Sequence, residues 1–534
     1  MLTRLKHRVA AELVRQAAEA PSLRRYAVAG LGAGVIVVAG AMAGGPSFVS
    51  HLPGAWYFGT PGGPLGFVGS GSARAPAISI LAVYGGLLTL CAVWWRLLSA
   101  LWHHPGVRVS AVAKVLVVWA LPFVLAPPLF SRDVYSYAGQ GAMVSFHIDP
   151  YVYGTGVLGA TRFNLLAGPL WANTPSPYGP TFLSLDGLVT QLSGHQVLAD
   201  LFLLRLLAVA GVVLMAVALP TLARSAGRDP AAAVVLGAGS PIVLATLIGG
   251  AHNDGLMVGL LVAGLAAWKR FGPVPGIVLC ALAAGVKAPA MLGVVLIGWN
   301  WDGARARLPG RFVRTLEALG IGAATLAALS AASGVGWGWV LSLTAPDKVS
   351  TGVTPVDAAA HVLAGALHLA GVPIALSSVR TVTSVAGVAV AVAAGTWLLW
   401  RSPRLGDLRA LGATLLLLAL LSPVLWAWYL TWGLVVLAPV AGVRLRRVLV
   451  GLGAAETLVG ASSVLGILRS LRHDGALSDV MVVVAIMAVA VAALCAPFEA
   501  RSVRWPGLRI GRPLAQPATV SARSARSTRA GEDG

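Results

Sequence analysis

The feature that most constrains this sequence is a series of long apolar runs that recur from Tyr26 to Pro497. Many of them reach the roughly 20 residues that a helix needs to cross a bilayer. Of the 534 residues, 57% are hydrophobic and only 11% are charged, whereas about a quarter are charged in ordinary soluble domains. Because so few polar side chains are available to cover a water-soluble fold, the sequence predicts an all-α polytopic membrane protein.

The excess of basic residues fits the same fold class. The chain has 39 Lys and Arg against 19 Asp and Glu, a net charge of +20. In a soluble chain this excess would suggest a nucleic-acid partner, but here the arginines lie mostly in short segments between apolar runs. Such a distribution is typical of cytoplasmic loops under the positive-inside rule. We therefore expect membrane lipids as partners and no nucleic acid.

The alternation of charge along the chain predicts the topology. The first apolar run ends near Gly45 and contains Ala41-Met42-Ala43, which resembles a signal-peptide cleavage site. Because a long basic region precedes it and many spans follow, we prefer an uncleaved first helix. We expect about 12 to 14 transmembrane helices, with both termini in the cytoplasm. Later spans are predicted near residues 78–101, 109–130, 201–222, 231–249, 255–268, 312–333, 379–400, 408–421, 430–443, 448–468 and 480–497.

These features divide the chain into three parts. A basic cytoplasmic segment at residues 1–26 precedes a polytopic module at 27–498. A tail at 499–534 follows, rich in Arg, Ser, Ala and Pro, and is predicted to be disordered and cytoplasmic. Two large loops of the module, at 131–200 and 334–376, are expected outside the cytoplasm.

One apolar stretch, at residues 274–299, conflicts with the charge pattern. The arginines that follow it at 305–314 belong inside, which a single crossing would not allow. Two short helices that meet near Lys287-Ala288-Pro289 resolve the conflict, because proline interrupts a helix. Such a break is tolerated in a membrane where it lines a protein cavity.

Polar side chains are concentrated in the segments expected outside the cytoplasm. Because an ionisable group near a membrane span is costly, such groups are candidates for a functional site. The candidates and the aromatic residues beside them are Arg132, Asp133, Tyr135, Tyr137, Asp149, Tyr151, Tyr178, His252, Asn253, Asp254, Lys287, Trp428 and Tyr429.

Most of these candidates also have a purely structural interpretation. Asp133 directly follows a span and equally fits a helix cap, as does the polar group that begins at His252. The aromatic residues at 426–432 fit an anchor at the membrane interface. Lys287 is different, because a lysine beside a helix break in an apolar region needs an anion or a cluster of carbonyls.

A carboxylate, nearby cations and aromatic rings at a bilayer edge suit glycosyl transfer from a lipid-linked sugar phosphate. The phosphate leaving group needs no protonation, so one carboxylate suffices as general base on the acceptor hydroxyl. Cations such as Arg132 or Lys287 can hold the phosphate as charge develops on it. Tyrosine and tryptophan can pack against sugar faces while their polar atoms form hydrogen bonds.

No metal site and no cofactor are predicted, and the lipid-linked sugar donor is expected as a co-substrate. Cys91, Cys280 and Cys495 each lie inside an apolar run, and no two of them have the spacing of metal ligands. Asp133 and Asp149 are too far apart in sequence for their spacing to establish a cation site. The sequence leaves dependence on a divalent cation open.

Several separated motifs occur in an order that resembles a known family. They are 131–140 (SRDVYSYAGQ), 149–151 (DPY), 175–180 (PSPYGP), 250–255 (GAHNDG) and 287–289 (KAP). Together they resemble the actinobacterial polyprenol-phosphomannose-dependent α-1,6-mannosyltransferases, which belong to the GT-C superfamily of multispanning glycosyltransferases. The similarity covers roughly residues 130–439.

The resemblance implies a GT-C-like bundle in the plasma membrane whose extracytoplasmic loops form the active site. It implies an inverting transfer of mannose from polyprenyl phosphate mannose to an α-1,6-mannan acceptor of lipomannan or lipoarabinomannan type. The catalytic carboxylate of GT-C enzymes lies on the first large outer loop, and Asp133 matches that position. Here, however, the loop follows the third predicted span, whereas many GT-C proteins place it after the first.

The resemblance includes the motifs of several other candidates without fixing a role for each residue, and the chemistry of their side chains gives them the following roles. Arg132, Lys287 and His252 are assigned to the donor phosphate. The residues assigned to the acceptor or sugar are Tyr135, Tyr137, Asp149, Tyr151, Tyr178, Asn253, Asp254, Trp428 and Tyr429.

Other functions remain open at this point. A GT-C transferase for another polyprenyl-linked sugar fits equally, because no residue identifies mannose. A lipid or sugar transporter or flippase also fits a broken helix with a buried lysine. Against transport, the polar residues crowd one face and no pair of matching halves is evident. A purely structural membrane subunit is the last alternative.

Overall fold

A computed structural model describes residues 22–44, 75–342 and 354–461 of the chain. The regular elements in these ranges are helices, which confirms the predicted all-α class. The first nine are α1 (Leu23–Gly44), α2 (Ala75–His103), α3 (Val109–Leu125), α4 (Asp133–Ser145), α5 (Arg162–Ala167), α6 (Pro180–Leu192), α7 (Val197–Ser225), α8 (Pro230–Leu236) and α9 (Asp254–Phe271). The others are α10 (Pro273–Ala284), α11 (Met291–Trp299), α12 (Leu308–Ser333), α13 (Pro355–Leu369), α14 (Leu376–Trp400), α15 (Asp407–Leu420), α16 (Thr431–Leu437) and α17 (Val443–Gly460), with shorter helical turns between some of them.

Five of the described helices are long and apolar enough to cross a bilayer: α1, α2, α7, α12 and α14. The mean hydropathy is highest in α7, at 2.6. Shorter apolar helices, among them α3 and α10, lie between these five along the chain. The chain is therefore an all-α polytopic membrane protein.

The predicted span at residues 231–249 is not one helix, so this prediction was wrong. α8 ends at Leu236, and the next helical segment contains a six-residue π-helix, Val243–Ile248. Gly237 and Gly239 lie in the interruption, and Pro241 begins the helical segment that follows it. Glycine weakens a helix and proline removes a backbone donor, so the apolar run breaks here although its hydropathy is continuous.

The predicted helix break at Lys287 is confirmed. α10 ends at Ala284, a 3-10 turn (Ala288–Ala290) follows Lys287, and α11 begins after that turn. Proline occupies the turn, where its missing N–H interrupts no long helix. The backbone of Lys287 is extended, with φ −152° and ψ 128°, so the chain changes direction at this residue.

The segment between α3 and α7 folds into helices rather than a loose loop. α4 packs against α5, α6 and α7, and its residues from Val134 to Met143 are buried. Gly141 permits the close packing, since a Cβ there would lie 2.5 Å from Oγ1 of Thr190. The helix that begins with Asp133 is therefore held in the core of the described structure.

α7 and α9 approach each other closely because glycines lie at their contact. A Cβ on Gly211 of α7 would lie 2.2 Å from the carbonyl oxygen of Gly255, and a Cβ on Gly259 would lie 2.2 Å from that of Gly211. Small residues let helix backbones approach in membrane proteins. The contact places the start of α9, at Asp254, beside the middle of α7.

Several predicted features lie outside the described residues. They are the segment before residue 22, part of the second large loop at 343–353, the span at 480–497 and the basic tail at 499–534. The predicted span at 448–468 is described only as far as Ala461.

Candidate active site

Asp133 and His252 meet at the start of α4. The backbone turns sharply at Phe130, whose φ of 65° is uncommon for a residue with a side chain, and α4 begins soon afterwards at Asp133. Nδ1 of His252 lies 3.5 Å from Oδ2 of Asp133. Only 1% of the His252 side chain and 13% of the Asp133 side chain are exposed. A carboxylate thus lies beside an imidazole in a nearly enclosed position.

Neither Asp133 nor the group that begins at His252 caps a helix through a side chain. The N-cap residue is Arg132 in α4 and Asn253 in α9, and neither of these two side chains makes a capping hydrogen bond. Asp133 still lies in the first turn of α4, where the helix dipole stabilises a negative charge. The contacts therefore favour a functional interpretation of these residues over the cap.

Asp254 and Lys287 form a buried ion pair. Nζ of Lys287 donates to both carboxylate oxygens of Asp254, each at 3.0 Å. The indole N–H of Trp432 donates to Oδ1 of the same carboxylate at 2.6 Å. Asp254 is fully buried. It is thus the anion that a lysine at a helix break in an apolar region requires.

A stack of aromatic rings supports His252. Its imidazole lies on the indole of Trp428 with ring centroids 3.7 Å apart, and Trp428 in turn lies on Trp426 at 5.1 Å. Trp428 is buried, so it belongs to the site and is not an anchor at the lipid interface. The indole therefore restrains the plane of the imidazole whose Nδ1 atom lies beside Asp133.

A second group of rings surrounds the ammonium group of Lys287. Its Nζ atom lies 4.3 Å from the ring centroid of Tyr429, 5.5 Å from that of Trp432 and 6.0 Å from that of Tyr178. Tyr429 and Trp432 stack on each other at 4.4 Å. Aromatic faces attract a cation most strongly where water is excluded. These rings therefore help to keep the lysine charged.

Tyr137 connects α4 to the residues before α9. Its hydroxyl donates to Oδ1 of Asn253 at 3.4 Å, and its ring packs edge-on against Tyr178 at 5.3 Å. Burial raises the pKa of the Tyr178 phenol well above its ordinary value, and the charge of Asp133 raises it further. This phenol therefore keeps its proton and remains a hydrogen-bond donor.

These contacts join residues from distant parts of the chain into one site, which we call the central cluster. Its members are Asp133, Tyr137, Tyr178, His252, Asn253, Asp254, Lys287, Trp428, Tyr429 and Trp432. All of these except Trp432 are candidates that the sequence had indicated.

The remaining candidates lie outside the central cluster. The guanidinium of Arg132 lies beside Gly168, where a Cβ would come within 3.2 Å of its Nη1 atom. Tyr135 is buried, and its hydroxyl has no hydrogen-bond partner among the described residues. Oδ1 of the exposed Asp149 accepts the N–H of Tyr151 at 2.8 Å, which closes a local turn. The roles of these four side chains at phosphate or sugar stay predictions.

Arg205, which is not among the candidates that the sequence indicated, binds the backbone of the segments that carry the site. It is fully buried in α7, and its guanidinium donates to the carbonyls of Ile248 at 3.2 Å, Gly249 at 3.0 Å, Val124 at 3.2 Å and Ala126. These carbonyls lie just before the two loops that lead to the central cluster. An arginine inside an apolar span is the sequence signal that points to it, because such a charge is costly in a membrane.

The central cluster combines the groups that sugar transfer requires. A carboxylate can take a proton from a hydroxyl, an ammonium group can stabilise an anionic leaving group, and aromatic rings can pack on a sugar. Within the described ranges, no three His, Cys, Asp or Glu side chains lie close enough together to hold a metal ion. The expectation that the protein needs no cofactor stays a prediction.

Comparison with known families gives matches over two long segments of the chain. The family described as alpha-(1->6)-mannopyranosyltransferase, N-terminal domain, matches residues 27–304, and the MptB C-terminal domain matches residues 356–498. No solved structure matches the chain.

Individual proteins with related names are similar over most of the chain. This chain is 33% identical over 452 residues to alpha-(1->6)-mannopyranosyltransferase A of Mycobacterium tuberculosis. The matched region covers 77% of this chain and 86% of that protein. The chain is 30% identical over 402 residues to a probable alpha-(1->6)-mannopyranosyltransferase of Mycolicibacterium smegmatis, covering 68% and 71% of the two chains. It is 28% identical over 461 residues to alpha-(1->6)-mannopyranosyltransferase B of Corynebacterium glutamicum, covering 79% and 74%. The chain therefore belongs to the alpha-(1->6)-mannopyranosyltransferase family, as its motifs had indicated.

Proposed function

We propose that this membrane mannosyltransferase transfers mannose, with inversion, from polyprenyl phosphate mannose to an α-1,6-mannan acceptor of lipomannan or lipoarabinomannan type. The observation that carries the proposal is the central cluster, in which the carboxylate of Asp133 and the ammonium group of Lys287 share one aromatic site. The names of the relatives favour mannose over other polyprenyl-linked sugars and favour transfer over transport.

In the proposed reaction, Asp133 is the general base. An acceptor hydroxyl oxygen attacks C1 of the donor mannose, and its proton passes to the Asp133 carboxylate. The bond between C1 and the phosphate oxygen breaks, and its electron pair leaves with polyprenyl phosphate. Attack from the face opposite the leaving group turns a β-linked donor into an α-linked product. His252, 3.5 Å from the carboxylate, orients the base, and this role replaces its sequence-predicted place at the phosphate.

Lys287 is proposed to hold the leaving phosphate. An ammonium group has three donors, and the contacts to the two oxygens of Asp254 leave one of them for a phosphate oxygen. Hydrogen bonds between a cation and a phosphate are among the strongest that proteins make. Arg132, next to Asp133 in sequence, adds a second positive charge near the donor.

An apolar groove beside Lys287 supports a lipid-linked donor. It has a volume of about 380 Å³ and lies between α11, α14 and α15. It begins at Ala288 and Pro289, directly after Lys287, and continues past Leu292 and Leu418. A prenyl chain bound there would place its phosphate at the lysine.

The arrangement of α9 supports a site on the extracytoplasmic face of the plasma membrane. Asp254, in the central cluster, begins this 18-residue helix, and Lys269 and Arg270 lie in its last turn. Although α9 is not one of the five helices apolar enough to cross a bilayer by composition, its 18 residues extend about 27 Å, close to the thickness of a bilayer core. Because basic residues collect on the cytoplasmic side, the opposite end of α9 faces outward. The termini are proposed to lie in the cytoplasm.

A transfer assay that compares the wild type with the variant Asp133→Asn tests this function. Membranes that contain the wild type or the variant are incubated with labelled polyprenyl phosphate mannose and a short α-1,6-mannoside. Because an amide cannot take the proton, we expect transfer to fall at least about a hundredfold with unchanged expression.

Asp302→Asn is the matched control, because it changes an exposed carboxylate outside the central cluster. This control should transfer mannose normally. Normal transfer by Asp133→Asn contradicts the proposed base. Label that crosses the bilayer without reaching the acceptor contradicts the transferase itself.

A further inference from the structure

A cavity of about 330 Å³ lies at the C-terminal end of α4, at the other end of this helix from Asp133. The end of α4, the start of α5 and the residues before α7 enclose it. Its polar side chains are those of Thr161, Arg162, His195 and Gln196. The mechanism proposed for the central cluster uses none of these residues.

One wall of the cavity is a flat aromatic surface. The rings of Phe146 and His195 stack with centroids 5.0 Å apart and an angle of 14° between their planes. Phe146 is 53% exposed, so its ring is accessible to a ligand. The stack offers the kind of surface against which a sugar ring can pack.

The His195 ring is held in place at an energetic cost. Its Nε2 atom lies 2.9 Å from Oγ of Ser145, the last residue of α4. Its backbone φ is 61°, in the left-handed region that residues with a side chain rarely adopt. Strain of this kind persists where the surrounding structure enforces it, and it is concentrated at functional sites.

Arg162 provides hydrogen-bond donors beside this surface. Its guanidinium group has five N–H donors in one plane, and none of the ion pairs among the described residues includes it. Gln196 adds an amide with both donors and an acceptor. An aromatic face with polar groups at its edge fits a neutral polyhydroxylated ligand such as a sugar.

The cavity is connected to the catalytic centre by two elements. α4 runs from Asp133 to Ser145, which corresponds to about 18 Å at the rise of an α-helix. α5 begins at the cavity with Arg162, and Gly168 after its end lies beside Arg132. The cavity and Asp133 therefore lie at opposite ends of one helix, about 18 Å apart.

We propose that this cavity binds the mannan chain of the acceptor several sugars away from the residue that receives mannose. The inference rests on the proposed function, because it assumes that the end of the chain lies at Asp133. A polymer bound there must continue along the protein surface. A second contact about 18 Å away favours acceptors long enough to occupy both places.

The first test measures transfer to α-1,6-mannosides of increasing length, from the disaccharide to the octasaccharide. For the wild type we expect KM to fall with length until the acceptor reaches the cavity. Phe146→Ala and Arg162→Gln should raise KM for long acceptors roughly fivefold to tenfold and leave the disaccharide unchanged. Leu165→Ala is the matched control, since Leu165 is 68% exposed on α5 and does not line the cavity.

The outcomes separate the two proposals. If the wild type fails to transfer mannose to every acceptor of the series, the proposed function is wrong. If the wild type transfers mannose but Phe146→Ala leaves the dependence of KM on acceptor length unchanged, the proposed second contact is contradicted. An equal rise of KM for all acceptors in both cavity variants also overturns it, because a remote contact cannot affect a disaccharide.

A binding measurement tests the cavity independently of turnover. The α-1,6-linked octasaccharide is titrated into the purified full-length protein in detergent. We expect it to bind the wild type and Leu165→Ala, and to bind Phe146→Ala and Arg162→Gln roughly fivefold to tenfold more weakly. Equal affinity for all four proteins overturns the inference, as does binding of inorganic phosphate in place of the sugar.

Discussion

At the scale of the residue, the ion pair between Lys287 and Asp254 has consequences for both stability and donor binding. Both side chains lie in a desolvated site, so removing one charge leaves the other without compensation. Removing both charges leaves neutral groups, and Trp432 remains as a donor to residue 254. Single and double variants therefore separate the two consequences.

We predict that Lys287→Met lowers the free energy of unfolding by about 3–5 kcal/mol, because it leaves the Asp254 carboxylate buried without a cation. The double variant Lys287→Met, Asp254→Asn should regain most of this stability and still use the donor poorly, since no ammonium group is left for the phosphate. Thermal unfolding in detergent measures the first quantity, and transfer at increasing donor concentration measures the second. If the double variant used the donor normally, Lys287 would be purely structural.

At the scale of the element, the contact between α7 and α9 positions the start of α9. Because a Cβ on Gly259 would lie 2.2 Å from the backbone oxygen of Gly211, no side-chain rotation can relieve the overlap. Any larger residue must push the two helices apart. Such a shift moves Asp254 relative to Lys287.

We predict that Gly259→Ala lowers the free energy of unfolding by about 1–3 kcal/mol, as overpacking does elsewhere, and reduces transfer as well. Gly320→Ala on α12 is the matched control, since a Cβ there meets no atom within 4 Å. Alanine favours a helix over glycine by up to about 1 kcal/mol, so the control should be as stable as the wild type or more stable. Thermal unfolding compares the two variants, and equal stability would contradict the close approach.

At the scale of the whole molecule, three regions would act on different parts of the substrates. The central cluster is proposed for the reacting groups, the groove between α11, α14 and α15 for the prenyl chain, and the cavity beyond α4 for the mannan. The side chain of Thr396, on α14, lines the groove and is exposed, so a larger residue there can fill the groove without disturbing the core.

We predict that Thr396→Trp raises KM for long-chain polyprenyl phosphate mannose severalfold and leaves the use of a short-chain prenyl donor unchanged. The cause is loss of the apolar area that a long chain would bury, at about 25 cal/mol per Å². Val390→Trp is the control, because Val390 is 56% exposed on the same helix and does not line the groove. Transfer assays with donors of different chain length measure the effect. The same loss for both donors would place the prenyl chain elsewhere.

Local features of the sequence were enough for the fold class and for most of the residues that the structure brings together in the central cluster. The apolar runs required membrane-spanning helices, because the chain has too few polar residues to cover these runs in a water-soluble fold. Pro289 and the arginines at 305–314 predicted the break at Lys287, which the structure confirms. The motifs around Asp133 and His252 indicated the family. Each of these signals is formed by residues that are close together in the sequence, so the sequence alone shows it.

Only the tertiary structure decided which side chains meet. Asp133 and His252, and likewise Asp254 and Trp432, are far apart in sequence and are brought together by packing between helices. The break at residues 237–240 and the anchoring of two loops by Arg205 also depend on backbone geometry that hydropathy does not record. The hydrophobic pattern can be read within each segment of the sequence. The hydrogen-bond partners of buried polar groups, in contrast, are determined only when the segments pack together.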